Sequence, residues 1–154
     1  MTHYGDRMPE VPPEVTIRAT IQPGSVYYFH HEDIVYSNEP HYFVVINIDP
    51  STEQVIFLVC ASSRIDKVKE RRNNLPPETL VTVSPDEYLE FKYPSIFDCN
   101  TVYLDNIEHL IQRLVKKQLE LKLEMNIQLV EQLRQGVIAS PLIQPLIKNQ
   151  LITQ

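Results

Sequence analysis

Between Ser62 and Arg72 the chain gathers five cations, Arg64, Lys67, Lys69, Arg71 and Arg72, around two carboxylates, Asp66 and Glu70. The 154-residue chain carries a net charge of −6, so this surplus of three leaves −9 on the remainder. A basic segment on an acidic body suits selective contact with phosphates, because each cation displaces counterions from a nucleic acid backbone. The same segment also reads as a solvated loop that keeps the protein soluble. What the charge balance excludes is a protein that coats nucleic acid by bulk charge.

Other residue types narrow the chemistry further. His30 and His31 are adjacent, so on a strand they point to opposite faces and do not share one ion. Glu32, Asp33 and His41 lie nearby, yet no HxH, HExxH or CxxC spacing is present, and no metal site is expected. The three glycines, Gly5, Gly24 and Gly136, are too far apart to build a phosphate-cradling loop, and no Gly-x-Ser-x-Gly elbow occurs. Cys60 and Cys99 sit in apolar, strand-like settings and read as buried small hydrophobes in a reducing compartment. With no signal-like stretch and no run of bilayer-spanning length, a soluble, cytoplasmic protein is expected.

These residues need elements to position them. The first 22 residues, with Pro9, Pro12 and Pro13, read as an extended arm with a short strand possible at Val15 to Thr20. After the Pro23-Gly24 turn, strand signals follow at 25–29, 41–46 and 54–60, the last two joined by turn residues 47–53 as a hairpin. Leu80 to Val83 and Ser95 to Val102 complete about five short strands, which favours a small curved antiparallel barrel or sandwich. From about Leu104 to Arg134 there is neither Gly nor Pro, and the apolar spacing predicts helix, with Gly136 as its C-terminal cap. Leu119 to Leu129 also alternates as a strand would, but the Leu, Glu, Lys and Gln composition favours helix. So wide an apolar helical surface calls for a second helix or a second subunit to cover it. A last short helix is expected from Ser140, as N-cap, toward Leu151.

Gly24-Ser-Val-Tyr-Tyr-Phe29, Glu39-Pro-His-Tyr-Phe-Val-Val-Ile46 and Val59-Cys-Ala-Ser-Ser63 together resemble the opening of the PemK/MazF family of toxin ribonucleases. Ser95-Ile-Phe-Asp-Cys-Asn-Thr-Val102 and the helix after it then take the place of that family's last core strand and C-terminal helix. The likeness spans roughly residues 24–119. It implies a mainly β fold with α, a small SH3-like antiparallel barrel of the CcdB/PemK type followed by C-terminal helices. The domain layout is then an arm at 1–22, a barrel domain with its first helix at 23–118, and a helical extension at 119–154. The resemblance further implies a homodimer that cuts single-stranded RNA without a metal or other cofactor and is neutralised by an antitoxin protein.

Such chemistry needs a base for the attacking 2′-hydroxyl, an acid for the leaving oxygen, and a donor for the charge that develops. Carried over by position, the family's catalytic Arg falls on His41 and its catalytic Thr on Ser62. Ser62 preserves the hydroxyl. His41 transfers protons near neutral pH but lacks the permanent forked charge, which Arg64, two residues beyond Ser62, could supply. Lys67, Lys69, Arg71 and Arg72 would hold the RNA backbone. His31, in the loop after the first strand, would border the groove, and Asp98 and Asn100 would meet a base edge. Tyr27, Tyr28 and Tyr42 offer stacking surfaces. The competing expectation is the same barrel without catalysis, serving as a nucleic-acid- or protein-binding module.

Overall fold

The computed structural model describes residues 11–152. Seven strands, β1 (Val26–Phe29), β2 (His41–Val45), β3 (Ile56–Ser62), β4 (Leu80–Val83), β5 (Ser95–Asp98), β6 (Tyr103–Asp105) and β7 (Leu119–Lys122), make one sheet. Their order is β4-β5-β3-β2-β1-β7, with β6 beside the first half of β3, and every pairing is antiparallel. β4 and β7 end the path without pairing to each other, so backbone hydrogen bonds leave the sheet open. Five helices complete a mixed α/β fold: α1 (Pro13–Thr20), α2 (Ile65–Arg71), α3 (Ile107–Val115), α4 (Ile127–Ala139) and α5 (Pro145–Gln150).

Strand alternation divides the apolar side chains between two cores. On one face, Val26, Val44, Val59 and Phe97 pack against Val130, Leu133 and Val137 of α4. On the other, Tyr27, Phe29, Phe43 and Leu58 meet Ile17 of α1 and Leu110 of α3. The expected hairpin is present as β2 and β3, with Val44 opposite Val59. The Pro23-Gly24 turn is also present. Gly24 has φ of +93°, and a Cβ there would lie 2.6 Å from the Met125 carbonyl oxygen, so both conformation and space demand glycine.

The structure corrects several expectations. The described part of the arm is not extended: Pro13 occupies the first helical position, where its missing N–H costs nothing, and Ile17 anchors the helix in the second core. The first ten residues of the arm, Pro9 among them, lie outside the described residues. The long C-terminal helix is instead α3, β7 and α4. α3 ends at Val115; just beyond it Lys117 takes a left-handed φ of 60° while the Gln118 N–H donates to the Arg113 carbonyl, and the chain turns back as a strand along β1.

This segment is no appendage. Leu119 is buried in the second core and Leu129, Val130 and Leu133 in the first, whereas Leu121 and Leu123 remain exposed, so the apolar stripe is split between two faces rather than forming one wide helical surface. Gly136 lies inside α4 rather than at its end, in close contact with Cys99. Ser140 is the C-cap of α4, and the last helix begins only at Pro145 behind Gln144. Among the described residues no helix is long and apolar enough to cross a membrane.

Candidate functional site

The site arises where two strands part. β3 keeps β2 as its neighbour as far as Phe43 opposite Cys60; beyond that, Ala61 and Ser62 pair with Phe97 and Ile96 of β5. Continuing the hairpin register by two residues would align His41 with Ser62. The strands diverge there and leave an open groove of about 970 Å³. Tyr28, His41, Tyr42, Cys60 and Ser62 line it from the sheet, α2 and its flanks contribute Arg64, Lys67, Arg71 and Arg72, and Phe91 to Tyr93 come from the loop before β5.

Local bonding explains why α2 stands over the groove. The Ser62 hydroxyl oxygen accepts the Arg64 N–H at 3.1 Å, turning the chain out of β3, and the Arg64 carbonyl accepts the Val68 N–H at 3.1 Å. Val68 is buried beneath the helix. At the far end, Arg72 donates through Nε to Asp98 at 2.9 Å and through a terminal nitrogen to the Thr101 hydroxyl at 3.2 Å. Arg71 approaches the same carboxylate at 3.7 Å. The other oxygen of Asp98 accepts from the Asn100 backbone and side chain.

The residues singled out from sequence therefore separate into three groups. His41, Ser62, Arg64 and Lys67 line one groove, and the side chains of Arg64 and Lys67 enter no ion pair among the described residues. Arg71, Arg72 and Asp98 also line it, but Arg72 and Asp98 are committed to each other. Lys69 is exposed on α2 without lining the groove.

The third group lies away from it. Asn100 is buried, donating to the Thr79 hydroxyl at 2.9 Å and accepting from Ser140 at 2.7 Å, which ties β5 to the end of α4. His31 is buried against β6 and the start of α3: its Nε2 meets the Leu104 carbonyl at 3.0 Å and Asp105 at 3.4 Å, and its Nδ1 accepts the Asp33 N–H at 3.1 Å. Tyr27 is a core residue, whereas Tyr28 and Tyr42 do face the groove and pack 4.6 Å apart.

Electrostatics set the protonation states. Burial lowers the pKa of His41, the nearby His30 adds to this, and the Glu39 carbonyl and carboxylate offset only part, so the ring is neutral at neutral pH and able to accept a proton. Its Nδ1 is buried without a hydrogen-bond partner. Burial and Asp98 push the Cys60 thiol up to about 12 and raise Cys99 as well, leaving both as unreactive thiols.

His31, Glu32 and Asp105 place potential ligand atoms within 4.8 Å of one another, a juxtaposition that sequence spacing did not reveal because Asp105 is some seventy residues away. Arg113 already bridges the two carboxylates at 2.8 Å each, so a fixed cation occupies that position.

The groove also contains residues that sequence reasoning passed over. Tyr36 and Tyr93 are 79% and 71% exposed at its rim, and Lys92 adds a cation. The cation-aromatic pair Lys92-Tyr93 ahead of Pro94 was the available signal. No family model matches the chain, and no curated protein matches it in sequence.

Proposed function

We propose that the chain is an endoribonuclease of the PemK/MazF type, built on an SH3-like barrel and cleaving single-stranded RNA in the groove between β2, β3 and α2. The observation that carries this reading is the convergence in one groove of a neutral histidine, a hydroxyl, unpaired cations and exposed aromatic rings. Cations track the phosphates, while the tyrosines offer faces on which bases stack irrespective of sequence. Neutral His41 takes the proton of the attacking 2′-hydroxyl. Ser62 donates toward the phosphate oxygens, its own oxygen being occupied by the Arg64 N–H, and the Arg64 guanidinium offsets the growing charge. As the 2′-oxygen bonds to phosphorus, the bond from phosphorus to the 5′-oxygen breaks. The leaving oxygen takes its proton from the Ser62 hydroxyl, which the protonated His41 then replenishes, so that a 2′,3′-cyclic phosphate and a 5′-hydroxyl result. An antitoxin protein and a second copy of the chain are the partners this reading brings with it.

One observation favours the binding-module reading instead. The Nδ1 of His41 has no acceptor or donor to fix its tautomer, as a proton-transfer histidine ordinarily does. The two readings separate in a single assay of unstructured RNA incubated in EDTA, with end-group analysis of the fragments. The nuclease reading expects cyclic-phosphate ends and a loss of about 10²-fold or more in His41→Ala and in Ser62→Ala. Binding without cutting selects the module, and undiminished cutting by the double variant removes these residues from the mechanism.

A further inference from the structure

Three carboxylates line a groove otherwise suited to phosphates: Glu39, Glu90 and Asp98. Two are spoken for within the protein. Asp98 holds Arg72 and Asn100, and one oxygen of Glu90 accepts the Leu123 N–H at 3.0 Å. Glu39 is different. Its side chain is exposed and, among the described residues, neither oxygen accepts a hydrogen bond or joins an ion pair. An uncompensated negative charge two residues from His41 repels a phosphate, so it hinders a groove that grips only the backbone.

The segment carrying Glu39 is nevertheless held in place. Ile34 is 1% exposed and roots the loop in the second core. The Nε2 of His30 meets both the Ile34 carbonyl at 3.0 Å and the Ser37 carbonyl at 2.9 Å. The Ser37 hydroxyl oxygen accepts the Glu39 N–H at 3.0 Å, and Pro40 stiffens the step into β2. Fixing the backbone that carries the carboxylate lowers the cost of a directional contact.

We infer that Glu39 is a specificity-determining residue, its carboxylate receiving the paired N–H donors of a guanine beside the reacting phosphate. A carboxylate offers two parallel acceptors and no donor. In single-stranded RNA the base edges are open to such contacts, and guanine alone presents two adjacent N–H donors, N1–H and the 2-amino group, on one edge. The inference rests on the proposal that the groove takes single-stranded RNA, and it adds the base that the groove selects.

The test uses the intact chain and fluorescein-labelled, uncleavable 2′-O-methyl uridine heptamers whose central base is guanine, inosine, adenine, cytosine or uracil. Inosine keeps N1–H and lacks only the 2-amino group. Wild type is expected to bind the guanine heptamer at least about fivefold more tightly than the inosine one. Glu39→Gln, which replaces one acceptor by a donor, brings the two within twofold of each other and leaves binding of the all-uridine heptamer unchanged or tighter. His30→Ala, which releases the loop and leaves the carboxylate in place, narrows the guanine preference as well. Heptamers that all bind with no guanine preference, or a preference that survives Glu39→Gln, overturn the inference and leave the RNA reading standing. Failure of every heptamer to bind overturns both.

Discussion

Lys67 and Arg72 come from one charged segment, and the structure assigns them opposite duties. Lys67 is exposed and unpaired, whereas Arg72 is 20% exposed and clamps α2 to Asp98 and Thr101. Under the proposed function, Lys67→Ala should therefore leave stability unchanged, weaken RNA binding, and lower the slope of log affinity against log salt by about one. Arg72→Ala should cost about 2 kcal/mol of stability in urea unfolding, because Asp98 loses its nearest charged donor and keeps only the more distant Arg71 and the Asn100 bonds.

Titration distinguishes a second pair of residues. Burial opposes charge on His31, but Asp105, the Leu104 carbonyl and Glu32 outweigh it and raise its pKa. The Asp105 carboxyl is held low: burial opposes its charge, but His31, the Asn106 N–H and Arg113 prevail. The His31 contribution to stability is thus fully present below its ordinary value of 6.5 and is lost as pH rises through the raised value. The Asp105 contribution is present above 3.8 and is lost as pH falls through its lowered value. Urea midpoints should decline as pH rises above 6.5 and decline less steeply in Asp105→Asn.

At the scale of elements, Gly136 makes propensity and packing disagree. Replacing a glycine inside a helix by alanine ordinarily gains about 1 kcal/mol. Here a Cβ would meet Cys99 Sγ and the Glu78 carbonyl oxygen at 2.9 Å each, and the backbone oxygen has little freedom to retreat. Gly136→Ala should therefore destabilise by about 1 to 2 kcal/mol, seen as a lower thermal midpoint.

The same contest between local and tertiary signals decides which elements were legible in the sequence. β1 to β5 are β-branched or aromatic runs bounded by Pro, Gly and Asn, and local chemistry agrees with their final place. The alternation that marks β7 was visible but outweighed, because Leu119-Glu-Leu-Lys122 has helix-forming composition and becomes a strand only through pairing with β1. The breaks around it carried a readable sign in Asn106 and Asn126, whose side chains cap α3 and α4. The left-handed stop at Lys117 carried none, since no glycine marks it. At the groove, the basic segment was legible from charge alone, but the pairing of Arg72 with Asp98 across 26 residues was not.

At the scale of the whole molecule, the sheet joins distant parts of the chain. β7 pairs with β1 across 90 to 96 positions, and α4 fills the first core and pins β2 through Arg134, whose Nε donates to the Ile46 carbonyl at 2.6 Å. Ending the chain after Lys117 should yield an unfolded product rather than a smaller folded unit, as circular dichroism would show. Pairing between such distant positions also delays folding, since a large loop must close before the contact repays it. Every residue that lines the groove precedes position 104, whereas β7 and α4 follow it. During synthesis the groove-bearing strands thus leave the ribosome before the segments that complete their sheet and its core, so a nascent chain carries its groove-lining side chains for a time without the fold that arranges them.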